Sequence, residues 1–224
     1  MKKRFFIPYV GEFYTSGINR KKVLIVGASF YCSRQECPFF EKCTGTEMKS
    51  SSAYDEICPV YQEYGKVLRD EPSYCVEEIP DTYRKFSESL QKVTGAITCE
   101  DSWKYVAFTN YVQYFLPNIG STFRSTKLSD LSQRDFDAFV ETVEELEPDI
   151  VIIWGCVINK PLKEYNQYVI DRDELSRTNG YVCRMKCPNS NRIVTLINPY
   201  HPSSSAWYSG KKDFEFYLER VINN

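Results

Sequence analysis

Four short apolar runs recur along the chain, separated by longer mixed segments. Val23-Leu24-Ile25-Val26, Tyr105-Val106-Ala107-Phe108-Thr109, Ile150-Val151-Ile152-Ile153-Trp154 and Ile193-Val194-Thr195-Leu196-Ile197 are too short for helices and do not alternate with polar residues. They read as strands buried on both faces. The segments between them carry helical spacing. The stretch after Pro80 places Phe86 and Leu90 four apart and ends at Gly95. Ser132-Gln133-Arg134-Asp135 has the form of a capped helix start, and Phe136, Phe139, Val140 and Val143 follow on one face up to Pro148. A last helix over residues 211–221 carries Phe214, Tyr217, Leu218 and Val221, and a short strand is expected at Tyr181-Val182-Cys183. Strands alternating with helices predict an α/β domain: a three-layer α/β/α sandwich around a central, mainly parallel four-stranded sheet.

Polar residues collect where the strands end. Gly27-Ala28-Ser29-Phe30-Tyr31 follows the first strand, Asn110 the second, and Pro199-Tyr200-His201-Pro202-Ser203-Ser204-Ser205 the fourth. In open α/β sheets, ligands sit at the carboxyl ends of the strands. Gly27 lets the backbone turn and a ligand approach, while Ser29 and Tyr31 add a hydroxyl and an aromatic ring. His201 is the only histidine. Upstream, Phe5, Ile7, Tyr9 and Gly11-x-x-Tyr14 form an aromatic arm suited to covering a sheet edge.

The length of 224 residues suits one domain, expected to span the whole chain. A formal net charge of -2 excludes a strongly basic nucleic-acid coat and a polyanionic tail. Basic residues are spread over Lys2-Lys3-Arg4, Arg20-Lys21-Lys22, Arg124 with Lys127, and Lys211-Lys212, a pattern typical of solvated surface. The apolar start is broken by Pro8 and is too short for a signal core or a membrane span, so a cytoplasmic protein without membrane association is expected. Nine cysteines, an odd number, argue for reduced thiols rather than a disulfide framework. Four of them, Cys32, Cys37, Cys43 and Cys58, fall in an aperiodic segment at about 32–58 that reads as a loop insertion. Their spacing lacks a Cys-x-x-Cys pair, so scattered thiols and no cofactor are the favoured reading, with zinc or an iron–sulfur cluster as the alternative.

In this order, the motifs resemble those of the uracil-DNA glycosylase superfamily, whose members carry a glycine-rich first motif, an asparagine after a middle strand and a final His-Pro-Ser type motif. Gly27-Ala28-Ser29-Phe30-Tyr31, Thr109-Asn110 and His201-Pro202-Ser203 stand at those places. Gly11-x-x-Tyr14, Trp103 with Phe108-Thr109-Asn110-Tyr111, and Pro148-Asp149 running into Trp154-Gly155 resemble a poorly characterised branch of it. The resemblance implies a monomer that acts on DNA or a nucleobase-containing ligand, flipping a base into a pocket. It implies that Asn110 reads the base edge, with Gly27, Ala28, Phe30 and Tyr31 around the base. It further implies His201 and Ser29 as catalytic residues, and Ser203, Ser204 and Ser205 as phosphate contacts. The first motif departs from the family, since Ser29 stands where the best-known members carry an aspartate or asparagine for water. A bulky wedge residue is also missing at about Ser205, for which Trp207 is a substitute candidate. A non-catalytic binder on the same fold is therefore the alternative. Gly27-Ala28-Ser29, Asn110 and His201 also resemble the Ser, Asn and His blocks of the SGNH esterases, which would make Ser29 a nucleophile.

Overall fold

The computed structural model describes residues 4–32, 58, 82–117, 125–155, 157–158, 169–172 and 181–224. In chain order its elements are β1 (Tyr9–Val10), β2 (Val23–Gly27), β3 (Tyr31–Cys32), α1 (Thr82–Thr94), α2 (Cys99–Trp103), β4 (Val106–Asn110) and β5 (Leu116–Pro117). A 3₁₀ turn (Leu128–Asp130) then leads to α3 (Gln133–Leu146), β6 (Ile150–Ile153), β7 (Val169–Arg172), β8 (Tyr181–Lys186), β9 (Ile193–Asn198) and α4 (Ala206–Asn223).

The four apolar runs form the parallel centre of a sheet ordered β1-β4-β2-β6-β9-β8-β7. Among the described residues the sheet has seven strands rather than the four expected. The extra strands are antiparallel and lie at the two edges, β1 against β4 and the β8, β7 pair against β9. Edge strands of this kind escape a search for apolar runs, because β1 has only two residues and β7 is polar in half of its positions. Pairing of Tyr9 with Phe108 does place the aromatic arm on a sheet edge, as its composition suggested.

Alternate residues of each central strand enter different cores. Leu24, Val26, Val151 and Ile153 pack with Phe136, Phe139 and Val143 of α3. Val23, Ile25, Ile150 and Ile152 pack with Phe86 and Leu90 of α1 and with Phe214 and Leu218 of α4. Helices thus cover both faces, which explains why the runs lack polar positions. The last helix starts earlier than its apolar spacing indicated, because Trp207 anchors its first turn. Trp207 is 1% exposed and lies beside Phe86 and Phe214, with ring centroids 6.1 and 5.7 Å away. It is a core residue and cannot act as a wedge into a duplex.

A third cluster joins Phe5, Phe6, Val112, Tyr114, Phe115, Leu116 and Cys58, beside the small parallel pair of β3 and β5. Cys32 is partly buried and Cys58 buried there, and Cys37 and Cys43 lie outside the described residues. Several motif residues serve the opposite, amino end of the sheet. A Cβ on Gly11 would collide with the carbonyl oxygens of Trp103 and Lys104. The Tyr14 hydroxyl donates to the Leu146 carbonyl at 3.1 Å, and Asp149 accepts the Lys22 N–H at 2.8 Å.

Candidate functional site

Chain order reverses across the sheet between β2 and β6, because β4 lies on one side of β2 while β6 and β9 lie on the other. Loops leaving the carboxyl ends diverge at such a switch point and open a crevice. Its two walls contain the residues singled out in the sequence.

The first wall is Gly27 with Asn110, which are direct partners across β2 and β4. A Cβ at position 27 would collide with Asn110 Oδ1, so the asparagine side chain lies over the glycine. Asn110 is 3% exposed, and its Nδ2 has no acceptor among the described residues. The loops beyond run together, with Tyr111 N–H donating to Gly27 O at 2.9 Å and Val112 N–H to Ala28 O at 3.0 Å. Gln113 Nε2 donates to the Asn110 carbonyl at 2.8 Å while its Oε1 accepts the Phe5 N–H at 2.8 Å. The Gln113 N–H in turn donates to Asp135 Oδ1 at 2.7 Å. Asp135 also accepts the Ser132 N–H and hydroxyl at 2.7 and 2.9 Å, the capped start expected for α3. Burial pushes this carboxyl up to about 6, against the pull of its three donors.

The second wall is Gly155 with His201. Gly155 has φ of 84°, and a Cβ there would stand 3.3 Å from His201 Cβ. Asn198 Nδ2 donates to the carbonyls of Ile153 at 2.6 Å and Gly155 at 2.7 Å, and Gly155 N–H donates to Pro199 O at 3.0 Å. The Trp154 ring meets the imidazole edge-on, with centroids 5.8 Å apart. His201 Nδ1 accepts the Ser203 N–H at 3.2 Å and lies 2.7 Å from Ser203 Oγ. A backbone N–H can only donate, so Nδ1 is the acceptor and the neutral ring carries its proton on Nε2. The ring is half-open to solvent yet crowded by protein atoms, and that desolvation pushes its pKa down to about 4.

On the loop leaving β2, Ser29 Oγ lies 2.7 Å from Thr126 Oγ1, and Tyr31 Oη lies 3.4 Å from the same atom. Ser29 and His201 share no hydrogen bond. Phe30 is drawn away into the aromatic cluster, 4.8 Å from Phe6 and 6.1 Å from Phe115 between centroids. Ala28 packs on the core beneath α3. The serines after His201 mostly build its loop, since Ser203 contacts the imidazole and the Ser204 hydroxyl donates to the His201 carbonyl at 2.8 Å. Ser205 stays exposed.

Thr126, Gln113 and Asn198 were not picked out by sequence reasoning. Asn198 carried a usable signal, because it ends an apolar strand as Asn110 does. Thr126 carried none, lying in a mixed polar stretch. Among the described residues, no three His, Cys, Asp or Glu side chains gather to hold a metal. No helix there is long and apolar enough to cross a membrane.

Fold and crevice define an α/β protein with a polar site at the carboxyl edge of a mainly parallel sheet. The sequence matches no protein-family model and no curated protein.

Proposed function

We propose that this chain is a uracil-DNA glycosylase-like enzyme on a three-layer α/β/α fold, which excises uracil or a related base by hydrolysing its N-glycosidic bond. The observation that carries the reading is the unpartnered Asn110 amide, buried over Gly27 at the crevice. A buried donor left unmade costs roughly 1–3 kcal/mol, and a carbonyl on a flipped base would satisfy it. The amide offers a donor and an acceptor side by side, which suits a uracil carbonyl with its imide N–H.

His201 supplies the second half. Its Nε2–H donates to the base oxygen on which charge grows as the bond breaks, help worth roughly 3 kcal/mol in comparable sites. A ring with its pKa at about 4 stays neutral at neutral pH, so the donor is available without protonation. We infer a monomer that works on DNA in the cytoplasm without a metal or cofactor. Affinity should then fall with salt as phosphate contacts are screened. The hydroxyl of Ser29 meets Thr126 and not His201, so no observation favours an esterase reading.

The test is base release from labelled uracil oligonucleotides, single-stranded and opposite guanine, by wild type, Asn110→Ala and His201→Ala. Release by wild type and a loss of about a hundredfold or more in each variant is expected. Binding without release would instead identify a non-catalytic binder, and neither binding nor release would overturn the reading.

A further inference from the structure

We propose that Thr126 is a positioning residue for the attacking water and that it acts through Ser29, an inference that rests on the glycosylase reading above. Thr126 is 7% exposed, and its hydroxyl sits between those of Ser29 and Tyr31 at 2.7 and 3.4 Å. The three oxygens form a short chain with Thr126 in the middle.

A threonine hydroxyl has one proton and two acceptor sites. When the Thr126 proton points toward Tyr31, Ser29 donates to Thr126 and keeps both lone pairs for the crevice. When it points toward Ser29, the Ser29 proton is displaced into the crevice, and Ser29 becomes a donor there. Thr126 therefore sets whether Ser29 offers two lone pairs, or one lone pair and a proton, on its other side. In the first polarity Ser29 can only accept an O–H from water, which turns the water's free lone pair toward the sugar, whereas in the second it can also donate to the water and occupy that lone pair.

That role fits a first motif without a carboxylate. The C1′–N bond breaks with its electron pair going to the base, where the His201 Nε2–H steadies the charge. The water oxygen then forms the new bond to C1′, and the proton it loses ends on the departing base through solvent. Ser29 takes a hydrogen bond and no proton, so its high pKa is no obstacle. The segment around Thr126 is itself fixed. Lys127 N–H donates to Asp130 Oδ2 at 2.7 Å, and the Tyr114 hydroxyl donates to the Asp130 carbonyl at 2.8 Å.

The experiment measures kcat and KM for uracil release by the full chain carrying Thr126→Val, Thr126→Ser or Thr126→Ala, each with a thermal midpoint. Thr126→Val keeps the shape and removes the hydroxyl, so kcat should fall about tenfold to a hundredfold while KM changes little. Thr126→Ser should recover most of the rate, and Thr126→Ala stands in for the valine variant if that one does not fold. In a Ser29→Ala background, Thr126→Val should cost no further rate, because its effect passes through Ser29. Unchanged kcat in the folded hydroxyl-less variants, with Asn110→Ala and His201→Ala inactive, would overturn the role of Thr126 and leave the glycosylase reading intact. Wild type without release would overturn both.

Discussion

Asn110 and His201 face the same crevice but are held in unlike ways. Asn110 ends a strand paired residue for residue with β2, and the turn behind it is tied through Gln113 and Asp135 to the start of α3. His201 stands three residues beyond β9 and is held by local contacts with Trp154, Ser203, Ser204 and the bare face of Gly155, whose carbonyl Asn198 holds. The Asn110 wall is therefore part of the folding core, whereas the His201 wall is a loop with its own small set of bonds. Substitutions behind Asn110 should act on stability and function together. Substitutions around His201 should act on orientation first.

The sharpest break of this contrast is Asp135→Asn. It puts an amide where three donors converge, leaving at least one buried N–H or hydroxyl without an acceptor, and should cost about 3 kcal/mol. For a chain of this size that is a fall of about 6–12 °C in Tm. The variant also changes the pH dependence of stability. Burial raises the folded carboxyl from its ordinary value of 3.8 to about 6, so its contribution is fully present below 3.8 and is lost as pH rises through 6. Chemical denaturation across that range should show the slope in wild type and its loss in Asp135→Asn. An unchanged Tm would put both walls on the same local footing.

Gly155→Ala comes next. A methyl at φ of 84° is strained and stands 3.3 Å from His201 Cβ, so about 1–2 kcal/mol of stability should go. The larger consequence should be functional, since the imidazole has to shift away from Gly155. Base release should fall with little change in oligonucleotide affinity, and an equal loss of both would mean that His201 serves binding more than chemistry.

The contrast also explains which features were legible in the sequence. β2, β4, β6 and β9 announced themselves because burial on both faces removes every polar position. β8 was read only in its first half, at Tyr181-Val182-Cys183, and β1 and β7 were not read as strands, because an edge strand needs only backbone partners and tolerates any side chain. The crevice residues were legible where they mark the carboxyl end of a buried strand, with Gly27 and Asn110 closing β2 and β4 and His201 three residues beyond β9. Thr126 reaches Ser29 across 97 positions of sequence, and no local pattern encodes such a contact. Ser132 and Asp135 were readable as a helix cap, but the bond from Gln113 that makes the cap part of the site was not. Trp207 was misleading for a related reason, since a tryptophan beside a serine run looks exposed until the core of α1 and α4 is assembled around it.

Ser203→Ala should have the smallest effect on stability, within about 0.5 kcal/mol, and it separates two causes of a neutral His201. The backbone N–H of residue 203 still donates to Nδ1, so the tautomer should persist, and the rate should fall only a few fold. In wild type, release should be flat from neutral pH downward and fall with a midpoint near 4, where the ring gains its proton. The depressed value has a matching stability term. His201 contributes fully above its ordinary value of 6.5, and that contribution is lost as pH falls to about 4. Desolvation is the cause of the shift, and removing one hydroxyl leaves the surrounding protein in place. The acid limb of Ser203→Ala should therefore stay near that of wild type while the plateau drops. A limb that moved up toward the ordinary histidine value would show that the serine hydroxyl, and not burial, keeps this wall of the crevice uncharged.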